Sequence, residues 1–160
     1  MQIVRGLDEQ FARLHGRSLA LVRAVPVGRL YWQPARASGA RAYPLHSCGE
    51  HLLRSAAAVE QTFGGITVNL WDDPFEWTLP EALPRPADVS RYLEEAEATR
   101  RRAFEFLRSD EDLSKGIATP SGEMRTLFAL AAGTLTRAAH HQGRAYATLR
   151  LFSDARLPPV

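Results

Sequence analysis

The stretch from Gly122 to Phe152, GEMRTLFALAAGTLTRAAHHQGRAYATLRLF, is the longest part of the chain with a helical pattern. One face is mostly apolar and repeats at steps of three or four residues: Leu127, Leu130, Thr134, Ala138, His141, Ala145, Leu149 and Phe152. His141 lies on that face, whereas His140 points about 100° away from it. The pattern predicts a long helix with an inward-facing imidazole, whose nitrogens need a partner.

Three earlier segments have similar patterns. The first runs from Asp8 to Val25, and the second runs from Pro44 to Phe63, where Gly64 and Gly65 are expected to end it. The third has Asp88 as its N-cap and continues to Leu107. Because no segment alternates long enough to form a paired strand, with residues 67–70 the best local candidate, the four helices predict an all-α fold.

Composition sets the domain organisation. A chain of 160 residues, 45% of them hydrophobic and 24% charged, is typical of one globular domain. We therefore expect a single domain of residues 1–160, a four-helix bundle with long crossover connections. The sequence contains no apolar run of about 18 residues and no N-terminal signal pattern. The single cysteine, Cys48, fits a reducing compartment, so we expect a cytoplasmic protein without a membrane span.

A run of three arginines, Arg100 to Arg102, follows several glutamates in the third helical segment. Three consecutive helical residues fan over about 200°, so they cannot follow one phosphate backbone. The pattern favours a solvated face over a nucleic-acid interface.

The segment from residue 64 to residue 87 is the longest connection, and it holds Trp71, Phe75 and Trp77 among acidic residues. Long loops in small domains are often functional. Two interpretations remain open for it. One is a hydrophobic plug at one end of the bundle, and the other is a wall of a ligand pocket or a contact in a homodimer.

The five histidines differ in their expected positions. His51 borders the apolar face of the second helix, and His46 is expected on its far side, one turn before Glu50. His15 is expected to be an exposed or structural residue. His51 and His141 are thus the two inward-facing candidates. Neutral imidazoles are common ligands of Zn²⁺ and Ni²⁺, but a lone histidine in a helix bundle is more often a hydrogen-bonded core residue than a ligand.

Cys48 lies three residues before His51 and invites a second interpretation. A thiolate–imidazole pair could act as a nucleophile. The alternatives are a buried cysteine that packs as a small apolar residue, and a cysteine that serves as an additional metal ligand.

Four short motifs occur in an order that resembles one known family: LYWQP at residues 30–34, SCGEHLLRSAAAVE at 47–60, TPSGEM at 119–124 and HHQGRAYATLRLF at 140–152. On these motifs the chain is identified as a member of the DinB-like (DNA-damage-inducible) superfamily, whose fold is shared with metal-dependent thiol transferases.

The resemblance implies a four-helix bundle, often homodimeric, with a metal site made of three histidines. By position, His51 and His141 match two of those ligands, and the third would stand at residue 137, where this chain has Arg137. A guanidinium cannot ligate a metal and repels one nearby. The resemblance therefore leaves His140, Cys48 or a carboxylate as a substitute ligand, or a site that no longer binds metal tightly.

Two functions follow from the resemblance. The first is a metal-dependent hydrolase or thiol-S-transferase-type enzyme linked to stress or damage response. In it, Zn²⁺ or Ni²⁺ would stabilise the thiolate of a low-molecular-weight thiol cofactor for attack on an electrophile. The second is a non-catalytic bundle with a degenerate metal site that binds a protein partner or a small anionic ligand, the latter through Arg137. Neither function predicts nucleic-acid binding.

Overall fold

A computed structural model describes residues 1–34, 45–74 and 79–156. Within these ranges it contains four long helices, a short 3-10 turn at Asp110–Ser114 and one small antiparallel hairpin. The elements in chain order are α1 (Gln2–Ala24), α2 (Cys48–Val68), α3 (Pro86–Glu105), β1 (Gly116–Ala118), β2 (Met124–Thr126) and α4 (Leu127–Leu149). The predicted all-α fold is confirmed. None of the helices described is long and apolar enough to cross a membrane.

Helix α2 is the centre of the bundle and packs against both α3 and α4. Two side-chain hydrogen bonds fix its register with α4. The Ser55 hydroxyl donates to the Ala138 carbonyl at 2.9 Å, and the hydroxyls of Thr62 and Thr134 are 2.7 Å apart. Residue numbers rise along α2 as they fall along α4, so the two helices are antiparallel.

The apolar core has two halves. One half surrounds Leu52 and Leu149 and includes Cys48. The other contains three phenylalanines, in which the ring of Phe11 lies edge-on to Phe63 at 5.1 Å and to Phe104 at 5.9 Å between centroids. Such edge-to-face pairs add about 0.5–1.5 kcal/mol each to simple burial.

Arg100 does not belong to a solvated face, as the sequence suggested. Its side chain is buried and forms ion pairs with Asp8 of α1 and Glu97 of α3. Arg101 and Arg102 are exposed, as predicted. Arg100 therefore links α1 to α3 through an ion pair with Asp8 that the sequence pattern did not predict.

The first helix begins at Gln2 rather than at Asp8. The reason lies more than a hundred residues away, because the Asp110 carboxylate accepts hydrogen bonds from the backbone N–H groups of Gln2, Ile3 and Val4 at 2.9–3.0 Å. A carboxylate in this position satisfies helix-end donors and complements the helix dipole.

The second helix begins at Cys48 rather than at Pro44, which lies outside the described residues. Ser47 and Glu50 form a capping box at its start. The Ser47 hydroxyl accepts from the Glu50 N–H at 3.2 Å, and the Glu50 carboxylate accepts from the Ser47 N–H at 2.7 Å. This reciprocal pair satisfies two N–H groups that would otherwise lack partners.

Gly64 and Gly65 do not end the second helix, which continues to Val68 and ends at Asn69 with φ at 56°. Both glycines instead allow a close approach. A Cβ on Gly65 would lie 2.3 Å from the indole ring of Trp71, and one on Gly64 would lie 3.2 Å from the Leu70 carbonyl oxygen. The absence of side chains here lets the following segment pack on the helix.

The third helix has Arg85 as its N-cap, so Asp88 is its third residue rather than its cap. The Asp88 carboxylate accepts from the backbone N–H and the guanidinium of Arg85. The helix ends at Glu105, two residues before the predicted end at Leu107.

The fourth helix begins at Leu127 and ends at Leu149, inside the predicted limits of Gly122 and Phe152. Its N-cap is Thr126, whose hydroxyl accepts from the Ala129 N–H at 3.2 Å. The preceding residues form strand β2, which the sequence did not predict, whereas residues 67–70, the expected strand candidate, end α2 and begin the next loop.

Candidate functional site

Helices α2 and α4 bring two imidazole rings together. The Nδ1 atoms of His51 and His141 are 3.4 Å apart, and their ring centroids are 5.6 Å apart. His51 is 2% exposed. His141 is half-buried, so it lies at the edge of the apolar face of α4 rather than at its centre. We call these two side chains the imidazole pair. The structure therefore brings the two histidines that were expected to face inward next to each other.

Both members of the imidazole pair have lowered pKa values. Burial is the main cause for each ring, and it lowers the pKa of each from 6.5 to about 4. The cations Arg144 and Arg54 and neighbouring histidines act in the same direction, whereas Glu50 opposes the shift at His51. Both rings are thus neutral at pH 7. A hydrogen bond between two neutral rings requires a proton on one Nδ1 and a free lone pair on the other, so the two rings would then differ in tautomer.

Three guanidinium groups help to lower the pKa of His141, those of Arg54 on α2 and of Arg137 and Arg144 on α4, and Arg144 also helps to lower the pKa of His51. Arg137 stands where the resemblance expects a third ligand. Its Nη2 donates to Gln61 Oε1 at 3.1 Å and to the Ala58 carbonyl at 3.4 Å. The Arg137 side chain therefore extends along α2 toward Gln61, and its charge still contributes to the lowered pKa of His141.

His46 lies next to the imidazole pair and not on the far side of the second helix, as the sequence suggested. Its ring is 5.4 Å from that of His51, edge to face. The prediction was wrong because His46 precedes the N-cap, Ser47, where helical periodicity does not apply. His140 is exposed, as expected, with its ring 5.7 Å from that of His141. Four histidines thus form a row of neighbouring rings.

Glu50 closes one end of this row. Its carboxylate accepts from the Ser47 N–H and hydroxyl at 2.7 Å and from Gln33 at 3.1 Å, and it lies 3.4 Å from the His46 Nδ1. Burial alone would raise the pKa of Glu50, but these hydrogen bonds outweigh it and lower the pKa. The role of Gln33, within the LYWQP motif, was not apparent from the sequence. The fifth histidine, His15, is apart from the row and pairs with Glu94 at 3.2 Å, as expected of a structural residue.

Cys48 is fully buried in the apolar core beside Leu52. Burial raises the pKa of its thiol to about 12. A thiol in this environment stays protonated at neutral pH and is a poor nucleophile. These surroundings favour the interpretation of Cys48 as a small apolar residue over a thiolate–imidazole pair or a metal thiolate.

Gln142 is a buried polar residue of α4 that the sequence reasoning missed. Its side-chain amide donates to the Leu14 carbonyl at 2.6 Å and to the Ser18 hydroxyl at 2.7 Å. The residue after a candidate ligand therefore anchors α4 to α1. The small Ser18 in the apolar pattern of α1 was the available signal, since it leaves room for this contact.

The imidazole pair fits a metal ion in one respect. Two nitrogens bound to one tetrahedral Zn²⁺ are about 3.3 Å apart, close to the 3.4 Å observed. Among residues 1–34, 45–74 and 79–156, however, no three His, Cys, Asp or Glu side chains are arranged to hold one ion. Three guanidinium groups also raise the local positive potential. The described residues thus supply two donors and do not complete the site.

Comparisons of the chain with protein-family models, with curated proteins and with solved structures found no match. Membership of the DinB-like superfamily stays a prediction based on the four motifs.

Proposed function

We propose that this protein is a DinB-like bundle with a degenerate metal site that binds a small anionic ligand in the α2–α4 groove. The name α2–α4 groove refers here to the boundary between these two helices around His51, Arg54 and Gln61 of α2 and Arg137, His141 and Arg144 of α4. One observation carries the proposal: a neutral imidazole pair has three guanidinium groups around it, in the place where a metal site would need a third ligand.

The charge distribution of α4 supports an anionic ligand. Arg137 and Arg144 are its only charged residues, and it has no acidic residue at all. The carboxylate that acts on His51, that of Glu50, already accepts hydrogen bonds from Ser47 and Gln33. Among the described residues no carboxylate forms an ion pair with Arg137 or Arg144, and the planar guanidinium fork matches a carboxylate or a phosphate.

The imidazole pair adds directional donors to this electrostatic attraction. A neutral ring has one N–H group. The ring that does not donate a hydrogen bond to its partner can therefore donate one to a ligand. Its low pKa keeps it a neutral donor at pH 7. A cytoplasmic location remains part of this proposal, on the basis of the single buried cysteine.

Isothermal titration with inorganic phosphate and with acetate tests the proposal at low salt. The parent protein should bind at least one of them, with shifts in the ring nitrogen resonances of His51 and His141. The double variant Arg137→Gln/Arg144→Gln should lose about tenfold or more in affinity. Arg13→Gln/Arg23→Gln is the matched control, because it removes two exposed charges from α1 and leaves the residues of the groove unchanged. Equal losses in the two variants would show that only net charge matters and would contradict the proposal.

The second candidate is a metal-dependent hydrolase or thiol-S-transferase-type enzyme of stress or damage response, with Zn²⁺ or Ni²⁺ and a low-molecular-weight thiol. The observation that favours it is the 3.4 Å separation of the Nδ1 atoms. Elemental analysis of untagged, unheated protein separates the candidates. Stoichiometric Zn or Ni favours the enzyme, whereas a folded protein without bound metal favours the anion-binding bundle.

A further inference from the structure

A cleft of about 420 Å³ lies beside Arg137, on the side away from the imidazole pair. Its walls are α2, the segment after α2, the hairpin connection and the first half of α4, and they include Trp71, Ser121, Arg125, Gly133 and Arg137. The volume is within the range of small-molecule sites, about 300–1,000 Å³. We propose that this cleft binds a planar apolar monocarboxylate, with its carboxylate at Arg137 and its flat body beside Trp71. The cleft shares Gln61 and Arg137 with the α2–α4 groove but does not include the imidazole pair, so the inference adds a second ligand site to the proposed function.

The guanidinium of Arg137 is held in place but not neutralised. Its contacts among the described residues use Nη2 alone, toward Gln61 and the Ala58 carbonyl, which leaves Nε and Nη1 for a ligand. No carboxylate pairs with it in the described part of the chain. Gln61 also donates to the Trp71 carbonyl at 3.0 Å, so one residue positions both the cation and the segment that carries the indole.

The indole of Trp71 has a fixed orientation. One face lies on Gly65, where three ring atoms would be within 2.5 Å of an added Cβ. Its Nε1 donates to the Asn69 side chain at 2.9 Å. A ring fixed in this way can stack on a planar ligand without losing conformational freedom on binding.

The remaining wall residues explain the size and the charge of the expected ligand. Gly133 has open space where a side chain would project, so α4 leaves room for a flat molecule. At the rim, Arg125 is paired with Glu123 at 3.0 Å, so its charge is offset. Arg137 is then the one cation of the cleft without an acidic partner among the described residues, which matches a ligand with a single negative charge.

The test uses 2-naphthoate and its neutral analogue 2-naphthamide, with isothermal titration of the full chain. The parent should bind 2-naphthoate at least about tenfold more tightly than 2-naphthamide, because the carboxylate adds a charge-assisted hydrogen bond. Arg137→Gln should remove that difference. No binding of 2-naphthoate by the parent up to millimolar concentration, or equal binding of the two compounds, would overturn the proposal.

A pair of glycine variants locates the site. Gly133→Leu fills the cleft and should weaken 2-naphthoate binding by about tenfold or more. Gly143→Leu makes the same change on the same helix, also where nothing lies within 4 Å, and should leave the affinity unchanged. Both replace a helical glycine with a better helix former, so neither should unfold the protein. Equal affinity in Gly133→Leu and the parent would refute the assignment of the cleft.

The phosphate titration described above separates this inference from the proposed function. If phosphate binds at the imidazole pair but Gly133→Leu leaves the affinity for 2-naphthoate unchanged, the assignment of the cleft is wrong and the proposed anion site in the α2–α4 groove is retained. If neither anion binds, both fail.

Discussion

Acidification from pH 7 to pH 5 should destabilise this protein because it protonates the imidazole pair. The pKa of each ring is lowered from 6.5 to about 4 in the folded state, so the unfolded chain binds more protons in this window. Stability from this source is therefore fully present above pH 6.5 and is lost as the pH falls toward 4. Folded-state carboxylates with lowered pKa values, such as Asp112 at about 2, keep their contribution until the pH falls below their unfolded values near 4.

The expected magnitude follows from the shifts. At 1.36 kcal/mol per pKa unit, each imidazole loses about 2 kcal/mol of stabilisation at pH 5. The two rings are in contact and titrate together, and His141 is only half-buried, so we expect about 3 kcal/mol for the pair. That loss would lower the urea midpoint by about 1.5 M for a typical dependence on urea.

Urea unfolding followed by far-UV circular dichroism at pH 7, 6 and 5 measures the effect, on protein dialysed against a chelator. The double variant His51→Gln/His141→Gln removes both titrating rings and keeps neutral hydrogen-bonding groups. It should lose less than about 1 kcal/mol over the same pH range. His15→Gln is the matched control and should follow the parent. If the double variant loses as much stability as the parent, the pair is not buried and neutral as the structure indicates.

Four other expected outcomes can each be measured directly. Arg137→His should raise the affinity for Ni²⁺ or Zn²⁺ about tenfold or more in a chelator competition, because an imidazole replaces a repelling cation, whereas His15→Ala should not change it. Gly65→Ala should destabilise the fold by about 1–3 kcal/mol in urea because its Cβ would lie 2.3 Å from the Trp71 ring. Gly16→Ala, with open space around it, should stabilise the fold by about 0.5–1 kcal/mol. The chain should sediment as a homodimer at tens of micromolar, and a monomer at that concentration would contradict the prediction.

The number of long helices and the inward-facing sides on which His51 and His141 lie could be predicted from the sequence. Both depend on local periodicity, which places a residue on the inner or outer side of its own helix. The presence of Arg137 at the position where the resemblance expects a third ligand was equally visible, because it concerns the residue type at one position.

The helix ends and the surroundings of the site were decided by tertiary contacts. The start of α1 depends on Asp110, and the continuation of α2 past Gly65 depends on Trp71. His46 joins the row of histidines because the chain enters α2 in an extended conformation, where the helical pattern carries no information. Phe75 and Trp77, the other aromatic residues of the predicted plug, lie outside the described residues.

The sequence by itself determined which residues face inward on each helix, because hydrophobic spacing is a property of consecutive residues. Only the tertiary structure decided what each inward residue meets. The register between α2 and α4 is set by contacts such as those of Ser55 with Ala138 and Thr62 with Thr134. That register places Arg137 beside Gln61 and leaves the cleft open next to it. A contact between residues 76 apart in the chain has no local signature, because it depends on how two whole helices pack.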